Sequence, residues 1–302
     1  MLARAVRSYL SMRRAAGFAF KQAGFHLESF AAYSDASGER RVNTQTAIEW
    51  ARQVPSVYQR ARRLADVTRL ARYLRAEDER HEIPPAVFGS ERRPRRPPYI
   101  LADEQICRLI ELSAQSGYRT LRRQTYSTLF ALLSCTGLRV SEAIRLRYHD
   151  ITPDGLVIRA TKFQKTRLIP LHDTARAGLE RYLQQRRPYA PLDDHVFISL
   201  RRKPLLIEDV DKAFRTTAAK MGLPTGRARR RPTPHSLRHA FAIRALQTCP
   251  DGRDRITKHM LMLSTYLGHS SAALTYWYLE AVPELMRSIA ERCEAHLAGG
   301  AR

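Results

Sequence analysis

Apolar residues in the first part of the chain recur at the spacing of amphipathic helices. One stripe follows Pro55 and comprises Leu64, Val67, Ala71 and Leu74. Five arginines lie largely off this stripe, namely Arg60, Arg62, Arg63, Arg69 and Arg72, and an earlier helix is expected to begin near Asn43. Residues 1–88 are therefore predicted to form a small helical domain with a basic outer surface. They contain no acid–base cluster, which favours a binding role.

Downstream of residue 100 the pattern mixes helical spacing with a short alternating stretch. The predicted helices cover residues 102–112 and 125–135 and the chain from Ile207 onward. GLVIRATK (155–162) and RLIPLH (167–172) predict a hairpin, and Pro170 places its second strand at an edge or near its end. VFISL (196–200) is predicted to add a third strand. The expected fold class is mainly α with a small antiparallel β-sheet.

The clearest break in the pattern is the segment GSERRPRRPPY (89–99), where four arginines alternate with prolines. Proline opposes helix and favours extended backbone, so this segment is predicted to be a basic linker. It separates the helical domain, residues 1–88, from a second domain, residues 100–302. The end of the second domain, about 282–302, carries an apolar stripe that predicts a tail helix.

Charge changes this picture more than hydropathy does. The 302 residues include 52 Lys and Arg against 29 Asp and Glu, a formal net charge of +23. Such an excess repels itself unless it meets a polyanion. Nucleic acid is the expected partner, because basic side chains that approach phosphates release counterions.

The four cysteines are scattered and lack the spacing of a zinc site. Cys135 lies in the apolar run LFALLSC and is predicted to be a core residue. Neither a secretory signal nor a long apolar span is apparent, so no membrane partner is expected. The sequence predicts a cytoplasmic, nucleoid-associated protein in a reducing compartment.

Five residues in three short segments carry the candidate chemistry. The segments are TGLRVSEAIRL (136–146), PHSLRHAFA (234–242) and LGHSSAALTYWYL (267–279), and the residues are Arg139, His235, Arg238, His269 and Tyr278. Two guanidinium groups can hold a phosphodiester, two imidazoles can hydrogen-bond it or move a proton, and a phenol can attack it. Taken singly, each of these residues is more often a surface or packing residue.

Neighbouring side chains add subsidiary expectations. Glu142, one helical turn from Arg139, is predicted to orient a guanidinium. His239 is predicted to face away from the site as a packing or capping residue. Lys162 or Lys165, at the tip of the predicted hairpin, could protonate a leaving hydroxyl. Tyr276 is a rival to the proposed nucleophile.

The three segments, in this order and spacing, resemble the motif boxes of the tyrosine recombinase family, also called the phage integrase or Xer-like family. TGLRVSEAIRL resembles its first arginine box, PHSLRHAFA its HxLRH box and LGHSSAALTYWY its LGHxS…TxxY box. Thr275, three positions before Tyr278, matches the family's threonine and favours Tyr278 over Tyr276.

The resemblance implies a role for each of six positions: Arg139, Lys162, His235, Arg238, His269 and Tyr278. The arginines would bind the scissile phosphate, and the histidines would hydrogen-bond it and assist proton transfer. The lysine would be the general acid for the 5′ oxygen, and the tyrosine would form a 3′-phosphotyrosine bond. Family members need no metal ion and no ATP, so no cofactor is expected.

The resemblance also implies an architecture and partners. A helical N-terminal core-binding domain would close around double-stranded DNA beside an α+β catalytic domain. Recombinase protomers would act as a homo- or hetero-tetramer on DNA, and the tail helix would dock either onto a neighbouring protomer or onto its own domain. The implied function is site-specific recombination of the integrase or transposase type.

Three other functions compete with recombination. A type IB topoisomerase-like enzyme would share the phosphotyrosine chemistry without exchanging strands between partners. A DNA-binding accessory protein would lack catalysis altogether, although every candidate catalytic residue is present. A metal-dependent phosphodiesterase could use His235, His239 and His269, but no Asp or Glu cluster accompanies them.

Overall fold

The structure, a computed structural model, describes most of the chain. The described residues are 2–18, 20–90, 97–115, 120–159, 166–189, 194–225, 230–248 and 253–269, with Ser271, Leu274, Thr275 and Tyr278. The chain divides into two compact units, Met1–Arg96 and Pro97–Arg302. Helices predominate, and a small antiparallel sheet lies in the second unit, which confirms the predicted fold class.

The described residues of the first unit form four helices around one apolar core. They are α1 (Leu2–Ala15), α2 (Lys21–Ala36), α3 (Thr44–Arg52) and α4 (Val57–Leu74). Helix α3 begins where its capping residue predicts, because the Asn43 side chain accepts a hydrogen bond from the Thr46 backbone N–H. Trp50 packs edge-to-face against Phe30 in the core, and the whole predicted stripe of α4 is buried.

The second unit surrounds its sheet with helices. The described helices are α5 (Asp103–Gln115), α6 (Thr120–Thr136), α7 (Val140–Ala143), α8 (Asp173–Arg186), α9 (Ile207–Lys220), α10 (His235–Gln247) and α11 (Arg253–Leu267). Single 3₁₀ turns cover Tyr148–Asp150 and Arg187–Tyr189. One core cluster joins α5, α6, α8 and α9 to the sheet, and a smaller cluster lies between α10 and α11.

The sheet has the order β1–β2–β3 and contains the predicted hairpin. Strand β2 (Gly155–Ile158) pairs antiparallel with β3 (Arg167–Ile169), and Leu156 lies opposite Ile169. Strand β3 is at the edge and ends immediately before Pro170, as that proline predicted.

Two sequence predictions about the elements and the core of the second unit are wrong. The third strand is β1 (Ile151–Thr152), joined to β2 by a tight turn, and not VFISL. Residues 196–198 are buried beside α8, but only isolated bridges form here: Ile198 pairs with Pro204, and His195, just before the segment, pairs with Arg147. Cys135 is exposed, because Leu132, Leu133 and Thr136 form the buried face of α6 at that turn.

None of the helices in the described part of the chain combines the length and the apolar character needed to cross a bilayer.

Candidate active site

The site lies where helices α6 and α11 end and helix α10 begins. Gly137 follows the last residue of α6 with φ of +62°, and a Cβ there would stand 2.5 Å from the Phe241 ring. A glycine is therefore required to turn the chain from α6 into α7 while α10 packs closely against it. Arg139 is the capping residue of α7 and emerges directly from this turn.

Arg238 is held by the C-terminal ends of two helices. Its side chain is buried, with 1% of the residue exposed, and its Nη1 donates to the Gly137 carbonyl at 2.7 Å. Its Nη2 donates to the carbonyl of Leu267, the last residue of α11, at 2.6 Å. Helix C-termini carry partial negative charge, so both acceptors favour a cation. Burial, followed by the charge of Arg139, lowers the pKa of Arg238 to about 10, which leaves it positive at neutral pH.

Arg139 is fixed by a carboxylate and a carbonyl. Its Nη1 donates to Glu142 Oε1 at 2.7 Å, and its Nη2 donates to the Gly268 carbonyl at 2.9 Å. Glu142 thus orients a guanidinium, as predicted. About a third of the Arg139 side chain stays exposed, so the guanidinium remains open to a ligand.

A third arginine, Arg167, enters the site from strand β3. Its Nη1 and Nη2 donate to Glu142 Oε1 and Oε2 at 3.1 and 2.8 Å, a two-pronged ion pair in which both side chains are nearly buried. Burial alone would raise the pKa of Glu142, but hydrogen bonds from Arg167 and Arg139 lower it to about 2. Glu142 is therefore an anion shared by two guanidinium groups.

The sequence prediction did not include Arg167, although a signal was present. Residues two apart on a strand share a face, and Ile169, two positions later, lies in the buried core. An arginine on the buried face of an edge strand needs a partner, and that requirement identifies the residue as part of a charged site.

His235 and His239 lie together on α10, which corrects the prediction for His239. Their ring centroids are 4.5 Å apart in an edge-to-face arrangement, because residues four apart share a helix face. His239 was predicted to face away because it follows Arg238 directly, and this overlooked its spacing from His235. His235 keeps an exposed surface, and burial by its neighbours and the charge of Arg238 lower its pKa.

His269 follows the glycine turn that ends α11. Its backbone N–H donates to the Ser264 carbonyl at 2.9 Å, and its Nδ1 lies 2.8 Å from the Thr275 hydroxyl. Thr275 is fully buried, so this contact fixes the imidazole relative to the segment that carries Tyr278. Burial, then Arg238 and Arg139, lower the pKa of His269 to about 4.

Tyr278 is buried inside the site of its own chain. Only 2% of the residue is exposed, and its hydroxyl lies 3.0 Å from His239 Nδ1. Its ring lies nearly parallel to that of His269, with centroids 6.3 Å apart. Burial raises the pKa of the phenol, while the charge of Arg238 and a hydrogen bond with it act in the opposite direction.

The structure therefore brings five of the six predicted site residues together: Arg139, His235, Arg238, His269 and Tyr278. The sixth, Lys162, lies outside the described residues, as do Lys165, Tyr276 and the predicted tail helix.

The electrostatics of the cluster suit an anion. The cluster contains the guanidinium groups of three arginines and a single carboxylate, that of Glu142. Its imidazoles have lowered pKa values and are uncharged at neutral pH. Two surface clefts adjoin Arg139: one runs past His235 and α9, the other past Glu142 and β2. An extended anionic chain can therefore approach Arg139 from both sides. Within the described part of the chain, no group of three or more His, Cys, Asp or Glu residues is placed to hold a metal ion.

Sequence comparisons place the chain among recombinases. The profile of the phage integrase family matches residues 100–284. A predicted integrase/recombinase of Sinorhizobium fredii, y4rB, is 36% identical over 303 residues, which cover 96% of each chain. The tyrosine recombinase XerD of Vibrio vulnificus is 30% identical over 234 residues, covering 76% of this chain and 72% of XerD.

Solved structures share the fold at lower identity. The site-specific recombinase XerH, bound to a palindromic difH substrate after cleavage, is similar with a TM-score of 0.67 at 18% identity, over 90% of this chain and 78% of XerH. A lambda integrase dimer bound to a core site is similar with a TM-score of 0.61 at 18% identity, over 90% of this chain and 96% of the integrase. With the profile match and the sequence relatives, the chain belongs to the phage integrase family of tyrosine recombinases, enzymes that break and rejoin DNA.

Proposed function

We propose that this site-specific recombinase cuts and rejoins DNA strands through a 3′-phosphotyrosine intermediate on Tyr278, without ATP. One observation carries the proposal. The phenol oxygen of Tyr278 lies within one site with a buried arginine, a partly exposed arginine and two imidazoles. This set can bind a phosphodiester, neutralise the charge that develops on it and supply the nucleophile.

Arg139 and Arg238 are the proposed phosphate ligands. Their guanidinium groups are already fixed by carbonyl and carboxylate acceptors, so binding loses little further side-chain freedom. Guanidinium groups stay charged near neutral pH, which suits the additional negative charge of a pentavalent phosphorus. His235 and His269 would add hydrogen bonds to the phosphate oxygens.

In the proposed step, the phenol oxygen of Tyr278 forms a bond to phosphorus and the bond from phosphorus to the 5′ oxygen breaks. The phenol loses its proton, and the departing 5′ oxygen gains one from Lys162, or from Lys165. The phosphodiester energy is retained in the protein–DNA bond, so rejoining needs no nucleotide.

A substrate with sulfur at the bridging 5′ position shows which of the two lysines is the general acid. A thiolate leaves without a proton, so sulfur rescues the Ala variant of the true acid alone.

The proposal extends to the domain boundaries, the assembly on DNA and the location of the protein in the cell. Residues 1–88 are the proposed core-binding domain, 89–99 the linker and 100–302 the catalytic domain. The protomers would assemble as a homo- or hetero-tetramer on double-stranded DNA, with residues 282–302 as the contact between protomers or with their own domain. An enzyme that acts on the chromosome would work in the cytoplasm at the nucleoid.

The test is a nicked suicide substrate, from which a short cleaved strand diffuses away and leaves the enzyme trapped on DNA. Wild-type protein should form a covalent adduct in the presence of EDTA, and Tyr278→Phe should form none. Tyr276→Phe is the matched control and should retain the adduct. An adduct in Tyr278→Phe that disappears in Tyr276→Phe would move the nucleophile and refute the assignment.

Strand exchange separates recombination from simple relaxation. A recombinase should join strands from two DNA molecules that carry its site. Relaxation of plasmid without any specific site, together with no exchange between partners, would instead indicate a type IB topoisomerase-like activity.

A further inference from the structure

We propose that His239 is a further catalytic residue of this recombinase: it accepts the phenolic proton of Tyr278 as the phenol attacks DNA. This inference rests on the proposed function of Tyr278. It adds a residue that lies outside the six positions assigned from motif resemblance.

The contact between the two side chains has the geometry of proton transfer. His239 Nδ1 is 3.0 Å from the Tyr278 hydroxyl, within the range expected of a general base. The two rings meet edge-to-face with centroids 5.4 Å apart, so the side chains are in direct contact. Since a phenol is protonated at neutral pH, the hydroxyl donates and Nδ1 accepts.

The other imidazoles are less well placed for this task. The His269 ring lies nearly parallel to the Tyr278 ring with centroids 6.3 Å apart, and its Nδ1 already lies 2.8 Å from the Thr275 hydroxyl. His235 packs against the ring of His239 and keeps an exposed surface, which suits contact with DNA. Proton acceptance therefore falls to His239.

The charges around His239 are expected to make its imidazole a stronger base when DNA is bound. It faces His235 and Arg238 on its own helix, and His269 and Tyr278 on the segment that follows α11. Burial, followed by His235, Arg238 and His269, lowers the pKa of His239 to about 3, so its imidazole is neutral at pH 7 before DNA binds. A phosphate between the arginines would offset their charge and make the imidazole more basic.

The proton balance of the step is complete. The O–H bond of Tyr278 breaks and its proton moves to the lone pair of His239 Nδ1. The freed electron pair forms the bond between the phenol oxygen and phosphorus. The 5′ oxygen leaves with the electrons of its bond to phosphorus and takes a proton from the general acid. In the reverse step, the imidazolium returns its proton to the departing phenolate.

Two variants separate proton acceptance from simple anchoring. His239→Asn places an amide oxygen near the position of Nδ1, so it can accept the hydrogen bond but cannot take up the proton. His239→Ala removes both abilities. The measurement is single-turnover adduct formation on the nicked suicide substrate between pH 6 and 9, after thermal unfolding has established that each variant is folded.

We expect His239→Asn to slow adduct formation by roughly 100-fold at pH 7, the lower end of general-base effects. Its rate should rise about tenfold per pH unit, because the phenol must then ionise without help. DNA binding should be unchanged. Replacing Tyr278 with a fluorinated tyrosine, whose phenol is more acidic, should restore most of the lost rate.

The control is His172→Ser, at an exposed histidine that caps α8, because serine retains the capping acceptor. It should show the wild-type pH profile. A wild-type rate and pH profile in His239→Asn would overturn the proton-transfer role and leave only anchoring. If His239→Asn does not fold, a fluorotyrosine at position 278 of otherwise wild-type protein decides: a rate that rises about tenfold per pH unit and shifts with the acidity of the phenol would mean that the phenol ionises without a base, and would also overturn the proposal. Absence of any wild-type adduct would instead contradict the proposed function itself.

Discussion

At the scale of single residues, ion pairs and hydrogen bonds within the protein fix the charged side chains of the site in the absence of DNA. Glu142 accepts from Arg139 and Arg167, while Arg238 donates to two main-chain carbonyls. The carboxylate of Glu142 and the guanidinium of Arg238 therefore have hydrogen-bond partners, which is the condition for keeping charge in a low-dielectric interior. The exposed part of Arg139 is what remains for a ligand.

Arg167→Ala tests the shared carboxylate. Removing one partner from a nearly buried ion pair should lower the free energy of unfolding by about 2 to 4 kcal/mol, measured by urea denaturation. The losses of unfolding free energy in Arg167→Ala and in Glu142→Ala should sum to more than the loss in the double variant. The reason is that the two residues contact each other, so each single change removes the same ion pair. A loss below about 0.5 kcal/mol would mean that the pair does not hold the site.

The stability of the DNA-free protein should depend on pH through histidines whose pKa values are lowered, and His239 and His269 are the two in the site that are less exposed than His235. The pKa values of His239 and His269 are lowered from 6.5 to about 3 and about 4, chiefly by burial. Between pH 6.5 and 4 the unfolded chain therefore binds protons that the folded chain does not. Stability should fall as the pH falls, by at most about 2 kcal/mol per histidine at pH 5.

Urea denaturation at pH 7 and pH 5 measures this loss. His239→Asn should reduce it, because one of the two histidines is absent. The Glu142 contribution is separable, since its pKa is lowered from 4.5 to about 2 and its stabilisation is lost only below pH 4.5. Equal stability of the wild-type protein at pH 7 and pH 5 would contradict neutral buried imidazoles.

Five of the site residues could be predicted from the sequence because their motifs are local. Arg167 and His239 were missed for different physical reasons. The partner of Arg167 is 25 positions away, so its role depends on how β3 packs against α7. The partner of His239 is 39 positions away, and only the helix-face relation to His235 was available beforehand. Long-range contacts of this kind are not encoded in spacing.

At the scale of elements, two helix C-termini position both candidate phosphate ligands. The carbonyl of the last residue of α11, and carbonyls in the glycine turns that follow α6 and α11, accept hydrogen bonds from Arg139 and Arg238. The turn at Gly268 has φ of +63°, and a Cβ there would lie 2.8 Å from Arg167 Nη1. Arg139, Arg167 and Arg238 therefore all lie against the turn that ends α11.

Gly268→Ala should therefore cost more than the backbone conformation alone. Gly222→Ala is a matched control, because Gly222 has φ of +72° but no atom within 4 Å of an added Cβ. The control should lose about 1 kcal/mol of unfolding free energy. Gly268→Ala should lose more, and its rate of adduct formation should fall while that of the control does not. Equal effects in both variants would show that contact with Arg167 is unimportant.

Elements were predictable where local chemistry decides them. Asn43 predicted the start of α3, and the spacing around residues 155–172 predicted the hairpin. The segment VFISL was misread because its apolar run reports burial, and burial is common to strands and to irregular segments beneath a helix. Only two isolated bridges form there, so no ladder develops.

At the scale of the whole molecule, the net charge of +23 governs how the protein meets DNA. Much of that charge is exposed arginine, which contributes counterion release without reading sequence. The same charge is sufficient to predict from composition that the protein binds a polyanion.

DNA binding should consequently weaken steeply with salt. A protein that neutralises six to ten phosphates should lose about 10³ to 10⁵ in affinity between 50 and 200 mM salt. Fluorescence anisotropy with a labelled duplex measures the slope. A slope close to zero would contradict binding through the phosphate backbone.

The most direct measurement for the account is to map the covalent bond itself. The adduct trapped on a nicked suicide substrate is digested with protease and nuclease, and the nucleotide-bearing peptide is sequenced by mass spectrometry. The account predicts a 3′-phosphate joined to the phenol oxygen of Tyr278. A bond to any other residue, or to a 5′-phosphate, would contradict it.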